Sequence, residues 1–259
     1  MAESTLTAGL ARAGIMLLDS DLSLEPELAH VLRGCVGVHF SRVRYPGTVT
    51  AESLADALCH LEESATLLAP IHPSVLIYAC TSGSFMGGVE GNRAIEQRIR
   101  ALLGVECVTA SSAVVQALNR VGSSRIALVS PYSTEVTEAL VQFLNASGIE
   151  VMRTALLFGD ELVDDVTLQS VTPGEVLEAA LPLMGADIDG LLVSCTGIRI
   201  IAELPALETE LSVPVVSSNA AICRILLDHA GVEVSGFGQL LDGATARGGN
   251  SGEESYERN

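Results

Sequence analysis

The stretch VLIYACTSGS, residues 75–84, decides how this chain is read. A continuous apolar run of this length, rich in β-branched and aromatic residues, is the mark of a strand buried on both faces. It ends on Cys80, and Thr81, Ser82 and Gly83 follow at once. A second stretch, GLLVSCTGIR at 190–199, repeats the pattern: an apolar run, Cys195, then Thr196 and Gly197. Each cysteine stands at the carboxyl end of a predicted strand, where open α/β sheets hold their ligands.

Working outward, short apolar runs alternate with longer amphipathic ones. Strands are predicted at 13–18, 36–41, 74–80, 106–110, 125–130, 190–195 and 213–218, with a weaker one at 149–152. Helices are predicted over 52–69, 92–103, 111–120, 134–147, 173–184 and 219–229, and Gly148 fits the end of the fourth. Apolar strands separated by helices imply parallel sheets covered on both faces. VECVTASSAVVQAL follows the first cysteine and SVPVVSSNAAICRIL the second, so strand, polar corner and helix are played twice. The expected fold is α/β, with two similar Rossmann-like lobes, parallel sheets and a cleft between them. The expected boundaries are 1–112 with 220–242 for the first lobe and 113–219 for the second. The polar, Gly/Ser-rich tail at 243–259 reads as disordered.

Composition excludes several classes. The chain has 259 residues and a formal charge of −18, which repels nucleic acid and anionic membranes. No apolar run approaches the roughly 18 residues of a membrane span, and the N-terminus does not read as a signal peptide. A cytoplasmic protein is therefore expected. All 14 basic residues are arginine. A lysine Schiff base, with or without pyridoxal phosphate, and a Walker phosphate loop are thus ruled out. In a long chain with no expected export signal the six cysteines read as free thiols, and the absence of a C-x-x-C pair argues against structural zinc and thioredoxin-type redox chemistry.

A thiol at a strand end, before a helix N-terminus, is expected to have its pKa lowered from about 8.5. Thr81, Ser82 and Thr196 offer hydroxyl donors to a carboxylate or an enolate-like oxyanion. Two thiols on facing lobes could approach one carbon from opposite sides, one taking a proton and the other returning it. Alternatively, one thiolate could add to an activated double bond and later leave. Buried cysteines in strands are also common as inert small hydrophobes, and Cys35, Cys59, Cys107 and Cys223 are read that way.

The pieces GIMLLDSDLSLEPE, ACTSGS, RIALVSPYSTEV, SCTGIR and PVVSSNAA, in this order and spacing, resemble the aspartate/glutamate racemase superfamily. The resemblance, over about residues 12–232, is to the branch of maleate cis-trans isomerase, arylmalonate decarboxylase and the ectoine-utilisation racemase-like protein. It implies no cofactor, no metal, a small-molecule carboxylate substrate and a homo-oligomer. It implies a nucleophile at Cys80, an acid/base at Cys195, and carboxylate binding by Thr81, Ser82 and Tyr132. Tyr132 can also be read as a surface tyrosine. The decarboxylase has glycine in place of the first cysteine, so this chain, with both, is like an isomerase or racemase.

One departure concerns Asp21, where maleate isomerases carry asparagine. An ionised aspartate cannot donate to a carboxylate. It would repel a dianion or pair with an ammonium or amidine, and the ectoine-utilisation branch resembles this chain in having it. Asp21 can equally be a turn or N-cap residue. Asn219 is placed either in the cleft or as a helix cap, and Arg42 and Arg44 either near the substrate or on the surface. No histidine adjoins a cysteine motif. The expected function is a cofactor-independent two-cysteine isomerase or racemase for a small carboxylate or amino acid, in ectoine utilisation on the last resemblance. The alternatives are maleate cis-trans isomerisation at Cys80, a non-catalytic binding protein on the same scaffold, and a thiol redox sensor.

Overall fold

The computed structural model describes residues 10–242; the tail expected at 243–259 lies outside them. The first half alternates as β1 (Arg12–Leu18), α1 (Leu24–Leu32), β2 (Gly37–Val43), α2 (Ala51–Cys59), α3 (Leu61–Leu68), β3 (Val75–Ala79), α4 (Thr81–Phe85), α5 (Gly88–Leu103), β4 (Glu106–Thr109) and α6 (Ala110–Arg120). The second half follows with β5 (Arg125–Ser130), α7 (Thr134–Ala146), β6 (Glu150–Leu156), α8 (Asp165–Leu168), α9 (Pro173–Ala180), β7 (Gly190–Val193), α10 (Leu204–Leu211), β8 (Val215–Ser217) and α11 (Ser218–Ala230). Among these residues no helix is long and apolar enough to cross a membrane.

The strands form two four-stranded sheets of the same order, β2-β1-β3-β4 and β6-β5-β7-β8, all parallel. The two cysteine-bearing strands, β3 and β7, are interior in their sheets. The period-2 geometry of a strand sorts the first sheet's side chains cleanly. Ile15, Leu17, Val75, Ile77 and Ala79 enter the large core that continues into the second sheet. Met16, Leu76, Tyr78, Cys80 and Cys107 face a smaller core under α2, α3 and α5. The helices after the last strand of each sheet, α6 and α11, pack on each other. Their apolar faces join the two halves into one core.

Several predicted elements differ in detail. The helix expected over 52–69 breaks at His60, where α2 ends in a capping turn and α3 begins. The weak strand at 149–152 is a full strand of seven residues, paired along β5. Helices α1, α4, α8 and α10 were not predicted. Gly148, with φ of 86°, follows α7 in the left-handed conformation expected of it.

Gly190 opens β7 where the Ser123 side chain crosses the strand to donate to the Asp189 carbonyl at 2.9 Å. A Cβ on Gly190 would lie 2.3 Å from Ser123 Oγ and 2.6 Å from Ser123 Cβ. The substitution Gly190→Ala should therefore cost about 1–3 kcal/mol by overpacking. Adding Ser123→Gly should recover part of the loss in urea unfolding, whereas simple addition of the two penalties would show that steric conflict is not the cause.

Candidate active site

Cys80 and Cys195 line one narrow cavity of about 30 Å³ between the two sheets. Asp21, Thr81, Ser82, Tyr132 and Thr196 share it. The remaining walls come from Leu18 and Ser20 after β1, Val49 before α2, and Asp165, Leu168 and Gln169 on and beside α8. The α8 segment roofs the cavity from the second half. It pairs with the first half through an antiparallel bridge between Thr48 and Asp164, a Ser20–Asp165 hydrogen bond, and the Leu22 N–H donating to Gln169 Oε1 at 2.7 Å.

Each thiol is held by an amide of its own loop. Cys80 caps α4, its Sγ accepting the Gly83 N–H at 3.3 Å. A Cβ at Gly83 would lie 3.0 Å from that sulfur and 2.4 Å from Tyr78 Oη, so only glycine allows the approach. Cys195 Sγ accepts the Gly197 N–H at 3.3 Å. The strand predicted through 195 ends at Val193, and Cys195 adopts φ of 120°, a conformation that non-glycine residues rarely tolerate.

The corners after β4 and β8 support these loops in parallel ways. Thr109 and Ser217 cap α6 and α11, accepting N–H groups of Ser112 and Ala220 at 3.1 Å each. Ser111 Oγ donates to the Thr81 carbonyl at 3.1 Å, and Asn219 Nδ2 donates to the Thr196 carbonyl at 2.8 Å. Ser218 joins the two halves: its Oγ accepts Thr81 Oγ1–H at 3.0 Å and the Cys195 N–H at 3.1 Å. Ser218 was missed in the sequence, although the repeated VTASSA and VVSSNA corners carry the signal.

Asn219 is therefore neither a cleft residue nor a cap. It is fully buried behind Thr196, because its amide is spent on that carbonyl and on Glu27. Tyr132 is not a surface residue: it is buried, packs against Phe85, and its hydroxyl has no hydrogen-bond partner. Asp21 is a turn residue that also lines the cavity. Its Oδ1 accepts the Ser23 and Leu24 N–H groups at 2.8 and 3.0 Å, while the residue lines the cavity. Arg42 is spent on Glu25 and on the Asp21 carbonyl, and Arg44 is exposed, so neither lines the cavity. No histidine lines it either. Tyr45, unforeseen, is buried with an unpartnered hydroxyl, close enough to Asp165 and Cys80 that their charges raise its pKa further.

The thiols are not acidified as expected. Burial pushes Cys195 up to about 12, and the Gly197 N–H offsets this only in part. Burial likewise raises Cys80 against the Gly83 N–H, and the Asp21 charge raises both. Asp21 is itself raised by burial, against its two backbone hydrogen bonds. Desolvation wins because one or two amide dipoles cannot replace the hydration of a thiolate. Among the described residues no cluster of His, Cys, Asp or Glu is placed to hold a metal ion.

Two parallel four-stranded sheets, with one thiol from each at a shared cavity, define a two-lobed α/β enzyme architecture. The arylmalonate decarboxylase family model matches residues 46–241, and the chain belongs to that family. The arylmalonate decarboxylase of Bordetella bronchiseptica is 32% identical over 76% of this chain and 82% of its own. The maleate isomerase of Nocardia farcinica is 29% identical over 90% of this chain and 96% of its own. A solved structure of that organism's maleate cis-trans isomerase, a cysteine-to-serine mutant with a covalently bound succinylcysteine intermediate, superposes with a TM-score of 0.85. It is 24% identical and covers 92% of this chain and all of its own. The chain is an enzyme, and the isomerase class is the one its maleate isomerase relatives fit.

The Asp21 charge gives a direct test of the site's electrostatics. Asp21→Asn keeps the oxygen that accepts the Ser23 and Leu24 N–H groups and removes the charge that raises both thiols. Peptide-mapped iodoacetamide labelling should speed about 3–10-fold at Cys80 and Cys195, as expected for loss of a nearby like charge. The exposed Cys59 serves as the internal reference. Unchanged ratios to Cys59 would show that Asp21 does not control the thiols.

Proposed function

We propose that the chain is a cofactor-independent isomerase or racemase in which Cys80 and Cys195 act together on a small substrate bearing a carboxylate and a cationic nitrogen. The observation that carries this reading is the composition of the cavity: two thiols from opposite sheets, two acids, Asp21 and Asp165, and no lining arginine or histidine. A dianion would meet two carboxylates there. An amino-acid-like zwitterion would set its nitrogen against the acids and its carboxylate against the Tyr132 and Ser82 hydroxyls, the Thr81 hydroxyl being already donated to Ser218. The same preference fits the ectoine-utilisation branch, whose pattern includes the aspartate.

In the racemase route one thiolate removes the α-proton and the electron pair moves onto the carboxylate as an enolate. The other thiol then gives its proton to the opposite face. The sulfurs end with their protonation states exchanged. Because burial holds both groups as thiols in the free protein, the first proton must leave before turnover. A cationic substrate nitrogen would favour the thiolate once bound.

A second reading, maleate cis-trans isomerisation, is favoured by the succinylcysteine in the Nocardia farcinica relative. Here the Cys80 thiolate would add to the double bond, forming a C–S bond, and the Cys195 thiol would protonate the neighbouring carbon. Rotation about the new single bond, return of that proton and departure of the thiolate would give fumarate.

Proton NMR in D2O separates the two, with maleate, aspartate, glutamate, ectoine-derived amino acids and an arylmalonate as substrates. The expected result is deuterium at an α-carbon with loss of optical activity. Cys80→Ser and Cys195→Ser should each lower kcat by about 100–10,000-fold, the usual loss for a proton-transfer group. Conversion of maleate to fumarate with no α-exchange in the amino acids would select the second reading. Silence across the panel would overturn both.

A further inference from the structure

Glu27 is a buried carboxylate with no place in the chemistry above. It lies on α1, in the half opposite Cys195, and only 9% of it is exposed. Both of its oxygens are used across the boundary between the halves. Oε1 accepts the Ile201 N–H at 2.7 Å and Oε2 accepts Asn219 Nδ2 at 2.7 Å. The same Asn219 nitrogen lies 2.8 Å from the Thr196 carbonyl and 3.4 Å from that of Ile198. One carboxylate thus ties down the start and the end of the segment 195–201.

The Cys80 loop has no such support. Ser111 holds Thr81 from the position that Asn219 occupies in the second half, and it is backed by the Ser84 hydroxyl at 2.7 Å rather than by a charge. The difference matches the backbones. Cys80 has extended dihedrals, whereas Cys195 has φ of 120°. A residue in that region persists only where its surroundings over-determine it. Hydrogen bonds to an ionised group are the strongest available for the purpose.

We infer that Glu27 is the positioning residue for Cys195, holding the Cys195–Ile201 segment through Asn219 and the Ile201 amide so that the thiol faces the cavity. The inference uses the reading of Cys195 as a reacting thiol. It adds a consequence for pH. Burial raises Glu27 to about 7, against the Ile201 and Asn219 hydrogen bonds. Both of its partners are donors, so a proton on the carboxyl takes away an acceptor that one of them needs. The other groups facing it are Glu203, whose charge raises it, Cys223 on α11, and His30 and Arg199 along the adjoining groove. As pH falls through about 7, the segment loses its clamp.

The test is iodoacetamide labelling of the full chain, mapped by peptide mass, with the Cys195:Cys80 rate ratio as the readout. Both thiols are raised well above neutrality, so their thiolate fractions scale together with pH and cancel in the ratio. In the parent protein the ratio should rise between about pH 8 and about pH 6, following Glu27 protonation. In Glu27→Gln it should start about tenfold higher, the equivalent of one hydrogen bond to a charged group, and stay flat with pH. Asn219→Ser, which copies the first half's corner, should raise the ratio in the same way and covers the case in which Glu27→Gln does not fold. A ratio unchanged in both variants overturns the inference, and so does labelling of buried Cys107, remote from Glu27, that rises in step, since that reports general loosening. The readout needs no turnover. A shifted ratio in a chain inactive on every substrate would count against the isomerase reading alone, and an unchanged ratio in an active chain against the positioning role alone.

Discussion

The Ser218 hydroxyl is the contact on which the site depends. It accepts one hydrogen bond from Thr81 and one from the Cys195 amide, so the loops after β3 and β7 share a single atom. Without it the two thiols would belong to two separate sheet ends. With it, one serine at the start of α11 ties the two loops together. The core has the same logic. Helices α6 and α11 pack on each other and merge the apolar faces of both halves, so neither sheet can shift without disturbing buried side chains.

Burial gives this site its chemical character. It makes the cysteines weaker acids than free ones, raises Asp21, and leaves the hydroxyls of Tyr132 and Tyr45 unpartnered. An unpartnered buried hydroxyl is costly, and of the two only that of Tyr132 lines the cavity, where a ligand would complete it. The folded protein therefore holds both cysteines as thiols. On the proposed zwitterionic substrate, it is substrate charge rather than the resting protein that favours the thiolate. The two cavity acids make that dependence selective, because a nitrogen cation satisfies them and a second carboxylate does not.

The two halves are alike in topology and unlike in how they hold their cysteines. Ser111 and Asn219 sit at matching corners and donate to matching carbonyls. Only the second needs a carboxylate behind it, because only Cys195 departs from ordinary backbone geometry.

Much of this was legible in the sequence. Strand and helix periods repeat every few residues and are written locally, so all eight strands and most of the long helices could be read directly. The duplicated Cys-Thr corner was equally plain, because a short motif at the end of an apolar run needs no tertiary information. The break at His60 and the short helices α4 and α8 were not legible, since they answer to packing and to the loops they close rather than to a period. Nor were the roles of Asn219, Ser218 and Glu27, whose partners lie far away in the chain. The acidity of the thiols was misjudged for the same reason. A helix N-terminus is visible in sequence and lowers a pKa, but the burial that outweighs it is created only when the two halves close. The sequence by itself determined which residues stand at the strand ends. Folding decided what surrounds them, and for a titrating group in a dry cavity the surroundings set the chemistry.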